Sequence, residues 1–208
     1  MSEERKKNIG PFRYFVLNKP QNMVSQFKSN DTVNLLGTLS FEFPEGTHAI
    51  GRLDNDSEGL LLLTTDQRIT RLLFNGPVSH QRKYMVQVKG EVTEQTIAIL
   101  STGIDILVEG PTYYKTLPCE VSRVEHPESL YAQFEPVKHY GPYTWLLISN
   151  AEGKFRQIRK MVRAAGHPCR RLIRVAIEDL TLGNLKPGEV AELTEADFYT
   201  KLKLELPS

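Results

Sequence analysis

Cysteine is scarce: the 208-residue chain has two, Cys119 and Cys169. Two isolated cysteines build neither a disulfide framework nor a tetrahedral zinc site, and they suggest a reducing, cytoplasmic setting. Long apolar runs are missing too. None exceeds four strictly apolar residues, as at Leu60–Leu63, so no transmembrane helix is expected. The chain begins Met1-Ser2-Glu3-Glu4-Arg5-Lys6-Lys7 with no apolar stretch behind it, which is not the pattern of a secretory signal. Net charge is almost absent, +1 at pH 7, which argues against general adhesion to polyanions. There is no internal repeat, no low-complexity segment and no composition break that marks a linker. What remains is ordinary globular composition, 40% hydrophobic and 25% charged, enough for one large domain or two small ones.

The small net charge hides a local imbalance. Lys154, Arg156, Arg159, Lys160, Arg163, Arg170, Arg171 and Arg174 fall within 21 residues that hold no acid. Most of the charge after Arg174 is acidic. A basic island on a neutral chain points to a local polyanion site, although a solvated charged face gives the same pattern.

Turn residues and periodicity predict the elements. Residues 1–12 read as a flexible tail, and 13–208 as the folded part. Strands are expected at Arg13–Leu17, Thr47–Leu53, Leu60–Thr64, Lys83–Lys89, Thr116–Val124, Leu130–Phe134 and Thr144–Ile148. Helices are expected at Asp66–Phe74, Thr93–Leu100 closed by Gly103, Phe155–Ala165 followed by Gly166, and from about Glu195. Strands come in runs with few helices between them. That predicts an α+β fold with a mixed, mainly antiparallel sheet.

The 155–165 helix is two-faced. At about 100° per residue, Phe155, Ile158, Met161, Val162 and Ala165 fall on one side. Arg156, Lys160 and Arg163 fall on the other and are expected to face outward. Arg159 lies near the border, where its stem can be buried while its guanidinium enters a cleft.

Gly51-Arg52-Leu53-Asp54-Asn55-Asp56-Ser57-Glu58-Gly59 is the densest chemical feature. Asp54, Asp56, Glu58 and Gly59 match the first half of a calcium loop. The match then fails, because position twelve is Thr65 and position nine is Leu62. No metal site is expected. On an extended segment Arg52 and Asp54 share one face while Leu53 points to the core. A carboxylate beside an arginine stays ionised and can act as nucleophile or base. A surface turn with an ordinary ion pair fits the same spacing.

Gly51–Asp54 followed by Ser57–Thr64 closely resembles the catalytic signature of the pseudouridine synthases, in the branch that modifies ribosomal RNA. Other segments agree in the same order. Val16–Pro20 resembles the family's first motif. Lys83–Val88 resembles its tyrosine strand. Glu152–Met161 resembles its arginine motif, and Arg171–Arg174 the basic segment after it. The resemblance spans about Tyr14 to Leu193. It departs at Asn22, where many members have glycine, and at Phe155 and Lys160. The branch often carries a small N-terminal RNA-binding module, for which a first strand near Arg13 leaves no room.

The resemblance implies a sheet with flanking helices, two sub-halves sharing that sheet, and a central catalytic cleft. It implies isomerisation of uridine in 23S ribosomal RNA, or in a large-subunit assembly intermediate, without cofactor. Asp54, Tyr84 and Arg159 are then the catalytic candidates, with Arg159 pairing Asp54 and Tyr84 stacking on a flipped-out uracil. Lys19, Arg52, Arg156, Lys160, Arg163, Arg170, Arg171 and Arg174 are the RNA-binding candidates. Without the resemblance, Tyr84 reads as a cross-strand aromatic. His139-Tyr140 and Tyr143-Thr144-Trp145 offer aromatic surfaces for bases or for packing. A monomer is expected, with no membrane partner. An RNA-binding assembly factor on the same fold, or a synthase acting on 16S or transfer RNA, are the alternatives.

Overall fold

The run Leu60–Leu63 organises the sheet. Successive side chains on a strand point to opposite faces. Leu60 and Leu62 join a core with Tyr14, Ile173 and Phe198, while Leu61 and Leu63 join another with Phe15, Leu17 and Leu36. A strand covered on both faces is read as an unbroken apolar run.

The computed structural model describes residues 12–74, 79–135 and 141–205. The expected tail, apart from Phe12, lies outside these residues, as do His139 and Tyr140. The chain opens with β1 (Tyr14–Lys19), β2 (His48–Ile50), β3 (Glu58–Thr64), α1 (Ile69–Phe74) and β4 (Arg82–Lys89). Then come α2 (Glu94–Thr102), β5 (Asp105–Glu109), β6 (Thr112–Lys115), β7 (Glu120–Val124) and β8 (Tyr143–Asn150). It closes with α3 (Gln157–Ala164), β9 (Cys169–Ile177), β10 (Leu180–Thr181), β11 (Val190–Leu193) and α4 (Glu195–Lys201).

Nine strands form one sheet in the order β11-β1-β3-β9-β4-β8-β7, with β2 on β3 and β10 on β9. Its pairings are antiparallel except at β3–β9, where Glu58 lies opposite Ile173 and Gly59 opposite Arg174. This parallel seam joins two antiparallel halves. Gly59 has φ +97°, and a Cβ there would lie 2.3 Å from the Arg174 carbonyl oxygen. Only glycine lets the two backbones come this close.

The segment between β1 and β2 contains a single 3-10 turn, Leu36–Thr38. It covers one sheet face with Phe27, Phe41 and Phe43, whose rings meet edge to face. Helix α2 is closed by Gly103 at φ 94° as expected, and Thr93, just outside the helix, caps its start by accepting from the Thr96 amide.

Two expected elements need correction, and one element was not expected. Leu130–Phe134 is not a strand; it follows the 3-10 turn Pro127–Ser129, and Tyr131 and Phe134 pack singly rather than alternating. The first helix starts at Ile69, because Asp66 turns back to hold the Arg68 amide and guanidinium. The β5–β6 hairpin, absent from the sequence reading, packs against α3 and stands apart from the main sheet. Among the described residues no helix is long and apolar enough to cross a membrane.

Candidate active site

The turn after β2 sits at the seam. Gly51 has φ +72°, and a Cβ would collide with the Phe74 ring at 2.7 Å. Leu53 is buried, and both its backbone groups bind Ser25 Oγ, the amide at 3.0 Å and the carbonyl at 2.9 Å. This leaves Arg52 exposed and Asp54 half-buried. The Asp54 carbonyl accepts from the Ser57 amide at 3.0 Å, closing the turn. The Asn22 amide donates to the Asn55 carbonyl at 2.8 Å, and Asn22 takes the left-handed φ of 61°. Asparagine is among the few non-glycine residues that tolerate that conformation.

Each acid of the turn faces an arginine from the far half of the chain. Asp54 Oδ2 lies 3.3 Å from Arg156 Nη1. Asp56 takes the Arg156 fork at 3.0 and 2.8 Å. Glu58 takes the Arg171 fork at 2.8 Å on both oxygens. Hydrogen bonding from Arg156 holds the Asp56 carboxyl below its ordinary range. The carboxylates that mimic half a calcium loop are thus committed to guanidinium groups.

Arg156 reaches the turn because it is not helical. Helix α3 begins at Gln157, and Arg156 caps it in the left-handed region at φ 53°. A small network shapes this approach. Gln157 Nε2 donates to Glu152 at 2.7 Å, and Gln157 Oε1 accepts from the Lys154 amide at 3.0 Å. Tyr114 on β6 donates its hydroxyl to Glu152. The helical phase therefore does not apply to Phe155 or Arg156. Phe155 is 72% exposed rather than in the core, and Arg156 turns inward rather than outward.

The turn forms one wall of an open cleft of about 970 Å³. Asp54, Arg52, Tyr84, Arg82, Asn150, Phe155, Arg156 and Arg174 are among its lining residues. Tyr84 on β4 is half-buried and lies opposite Arg174 on β9 in the strand register. A carboxylate, a tyrosine and several guanidinium groups thus converge on one concavity, a place for acid–base or covalent chemistry on a polyanion.

Residues 13–164 match the family model described as RNA pseudouridylate synthase. The chain belongs to the RNA pseudouridine synthase family. It is 37% identical over 176 residues to ribosomal large subunit pseudouridine synthase E of Xanthomonas campestris pv. campestris, covering 84% of this chain and 91% of the relative. It is 36% identical over 184 residues to the enzyme of the same name from Vibrio parahaemolyticus, covering 87% and 74%. A solved pseudouridylate synthase superposes with a TM-score of 0.73 at 28% identity, over 94% of this chain and 76% of that one. The sheet described above is the pseudouridine synthase fold, and the protein is an isomerase acting on RNA.

The synthase cleft gathers some of the expected residues and redirects others. Asp54, Tyr84, Arg52 and Arg156 line it. Arg159 approaches the turn without pairing Asp54. Its Nη2 donates to the Asp56 carbonyl at 2.7 Å and to Ser57 Oγ at 3.3 Å, and lies 3.4 Å from Asp56 Oδ1. Arg156 occupies the place at Asp54 that Arg159 was expected to take.

The RNA-binding candidates divide. Arg52 and Arg163 are exposed, and Arg170 is half-buried. Lys160 lies 5.4 Å above the Phe155 ring and donates to the Val108 carbonyl at 3.3 Å. Arg171 is held by Glu58. Arg174 is 3% exposed and donates to the Leu60 carbonyl at 2.7 Å. Lys19 is wholly buried, and its ammonium donates to the Pro20 and Met23 carbonyls at 2.9 and 2.6 Å. Burial lowers its pKa to about 8. A lysine enclosed by its own loop cannot touch a phosphate. Trp145 is buried against Phe134 and is packing, whereas Tyr143 is exposed.

Sequence reasoning missed Arg82 and Asp56. Arg82 is 6% exposed, stacks on Phe74 at 4.8 Å and donates to the Ala151 and Glu152 carbonyls. It stands two residues before Tyr84, but the carbonyls that receive it, Ala151 and Glu152, are far away in sequence. Asp56 carried a signal in its spacing from Asp54, which the comparison with a calcium loop absorbed.

Proposed function

We propose that this synthase isomerises a uridine of 23S ribosomal RNA, free or in an assembling large subunit, with Asp54 acting at the sugar. The position of Asp54 carries the reading: its half-buried carboxylate lies in the cleft with Tyr84 and within 3.3 Å of Arg156. The substrate class rests on the two curated relatives, both named as large-subunit enzymes.

The chemistry follows from the bonds. Breaking C1′–N1 leaves its electron pair on the uracil ring and positive character at C1′. The ring turns within the cleft, and C5 joins C1′. The C5 proton leaves and N1 takes one up, so the product is an isomer of the substrate. Neither an oxidant nor a phosphoryl donor enters the balance. Asp54 meets the sugar either by adding to C1′ or by taking a sugar proton; both roles need a carboxylate within reach of the ribose.

The base must leave its stack to reach Asp54. Tyr84 then offers its ring to the uracil, and exposed Arg52 at the cleft wall occupies the vacated space. Lys160, Arg163 and Arg170 meet backbone phosphates, giving affinity and register rather than base choice. Arg159 holds the Asp56 carbonyl and the Ser57 hydroxyl, so it acts on Asp54 through the turn.

The substrate class is tested on 23S, 16S and transfer RNA from cells lacking the protein. Each is incubated with the enzyme, and carbodiimide-dependent primer-extension stops are mapped. One new stop in 23S RNA is expected. New stops confined to 16S or transfer RNA would contradict the assignment.

A further inference from the structure

Two arginines lie buried beneath the cleft without a carboxylate in ion-pair contact, although Glu178 lies near enough to Arg82 to offset part of its charge. Arg82 is 6% exposed and Arg174 3%. Among the described residues neither forms an ion pair with a carboxylate. Arg82 has two backbone carbonyls at 3.4 and 3.3 Å and the Phe74 ring. Arg174 has the Leu60 carbonyl on Nε, and its Nη2 has no hydrogen-bond partner. The two cations repel one another, and burial lowers the pKa of Arg82. Burying a charge without an opposite charge is costly, and breaking the sheet to hydrate it is costlier. Both residues line the cleft that holds Asp54, and Tyr84, opposite Arg174 in the register, lines it too.

The other arginines of the site do not share this state. Arg156 and Arg171 each grip a carboxylate bidentately. Their fields are largely neutralised where they stand. The fields of Arg82 and Arg174 are left for whatever enters the cleft beside Tyr84.

We propose that Arg82 and Arg174 form a preorganised cationic floor that stabilises the negative charge on the detached uracil. The inference rests on the isomerase reading, because that reaction alone puts an anion there. When C1′–N1 breaks, the bonding pair goes to N1 and spreads to O2 and O4 of the ring. When C5 attacks C1′, that charge is spent, and the C5 proton is exchanged for one on N1. Charge therefore develops on the base only in transit. Fixed, buried cations on the cleft floor favour that state over the neutral bound uridine. Such groups raise kcat and leave KM nearly unchanged.

The test compares Arg82→Met and Arg174→Met with Arg82→Lys and Arg174→Lys. Substrates are 23S transcripts carrying uridine or 5-fluorouridine, and loss of the N1-linked nucleoside is read by chromatography of the nuclease-digested RNA, which separates it from the C-linked product. Circular dichroism reports folding; if a methionine variant fails to fold, the lysine variant, which keeps charge but not the fork, carries the comparison. On uridine, each methionine variant is expected to lose about a hundredfold in kcat at similar KM, with part of the loss restored by lysine. On 5-fluorouridine the deficit shrinks, because the more acidic fluorouracil needs less help to leave. An equal deficit on both substrates, or a loss confined to KM, would overturn the floor. A wild-type enzyme inert on both transcripts and on large-subunit precursor particles would instead overturn the functional reading beneath it.

Discussion

On helix α3, Arg163 is exposed and Lys160 half-buried, whereas on strand β9 Arg171 and Arg174 turn into the molecule. The two elements come from one acid-free stretch, yet the environments differ. A helix lying on a sheet keeps one side in water, so Lys160 and Arg163 reach solvent, while Arg159 on its border is held by the Asp56–Ser57 turn. Past the half-buried Arg170 at its start, the strand inside the sheet has no such side, and Arg171 and Arg174 must find partners within the fold. Arg171 finds Glu58, and Arg174 finds a backbone carbonyl of β3. The partner, rather than the charge, separates a phosphate ligand from a strut.

That division breaks first at Arg171. Its pair with Glu58 is mostly buried, with side chains 15% and 9% exposed. Arg171→Ala strands the Glu58 carboxylate beside the seam and should cost about 3 kcal/mol, read by urea denaturation. The salt dependence of RNA binding should hardly change. A stable variant with weakened, less salt-sensitive binding would move Arg171 to the ligand group.

Lys19 sharpens the contrast by pH. Its folded pKa is about 8, below the ordinary 10.5, because burial disfavours the charged form. Below pH 8 both folded and unfolded chains hold the proton, and the penalty is constant. Between pH 8 and 10.5 the folded chain loses it first, so stability rises with pH. Wild type should gain up to about 3 kcal/mol on Lys19→Met across that window, measured by denaturation of both proteins at matched pH. A flat difference would show Lys19 to be hydrated.

The smallest effect belongs to Arg163. Arg163→Ala should leave stability within about 0.5 kcal/mol and lower the slope of log affinity against log salt by about one. An unchanged slope would remove it from the RNA face.

Local chemistry carried much of the fold. Gly103, the leucine run and the Ile158, Met161 and Val162 stripe of α3 each act within a few residues, and all three were legible in the sequence. The β5–β6 hairpin escaped because it is largely exposed and its alternation is weak. Leu130–Phe134 misled because Tyr131 and Phe134 are isolated plugs: the Tyr131 hydroxyl accepts from Asn18, and Phe134 meets Trp145. In the site, Asp54 and Tyr84 were legible because motif and position coincide. The exchange of Arg159 for Arg156 was not, because it depends on one left-handed residue before α3. The burial of Lys19, Arg82 and Arg174 was hidden too, since backbone carbonyls receive them and leave no mark in a charge pattern.

The central claim is that Asp54 performs chemistry rather than shaping an RNA-binding surface. Tritium release from 23S RNA labelled at uridine C5, prepared from cells lacking the protein, tests it most directly, with RNA affinity measured alongside. Wild type should release about one equivalent per RNA, and Asp54→Asn none above background, while Asp54→Asn keeps or gains affinity because a charge that repels phosphate is gone. Release by Asp54→Asn at a rate near wild type would contradict the account.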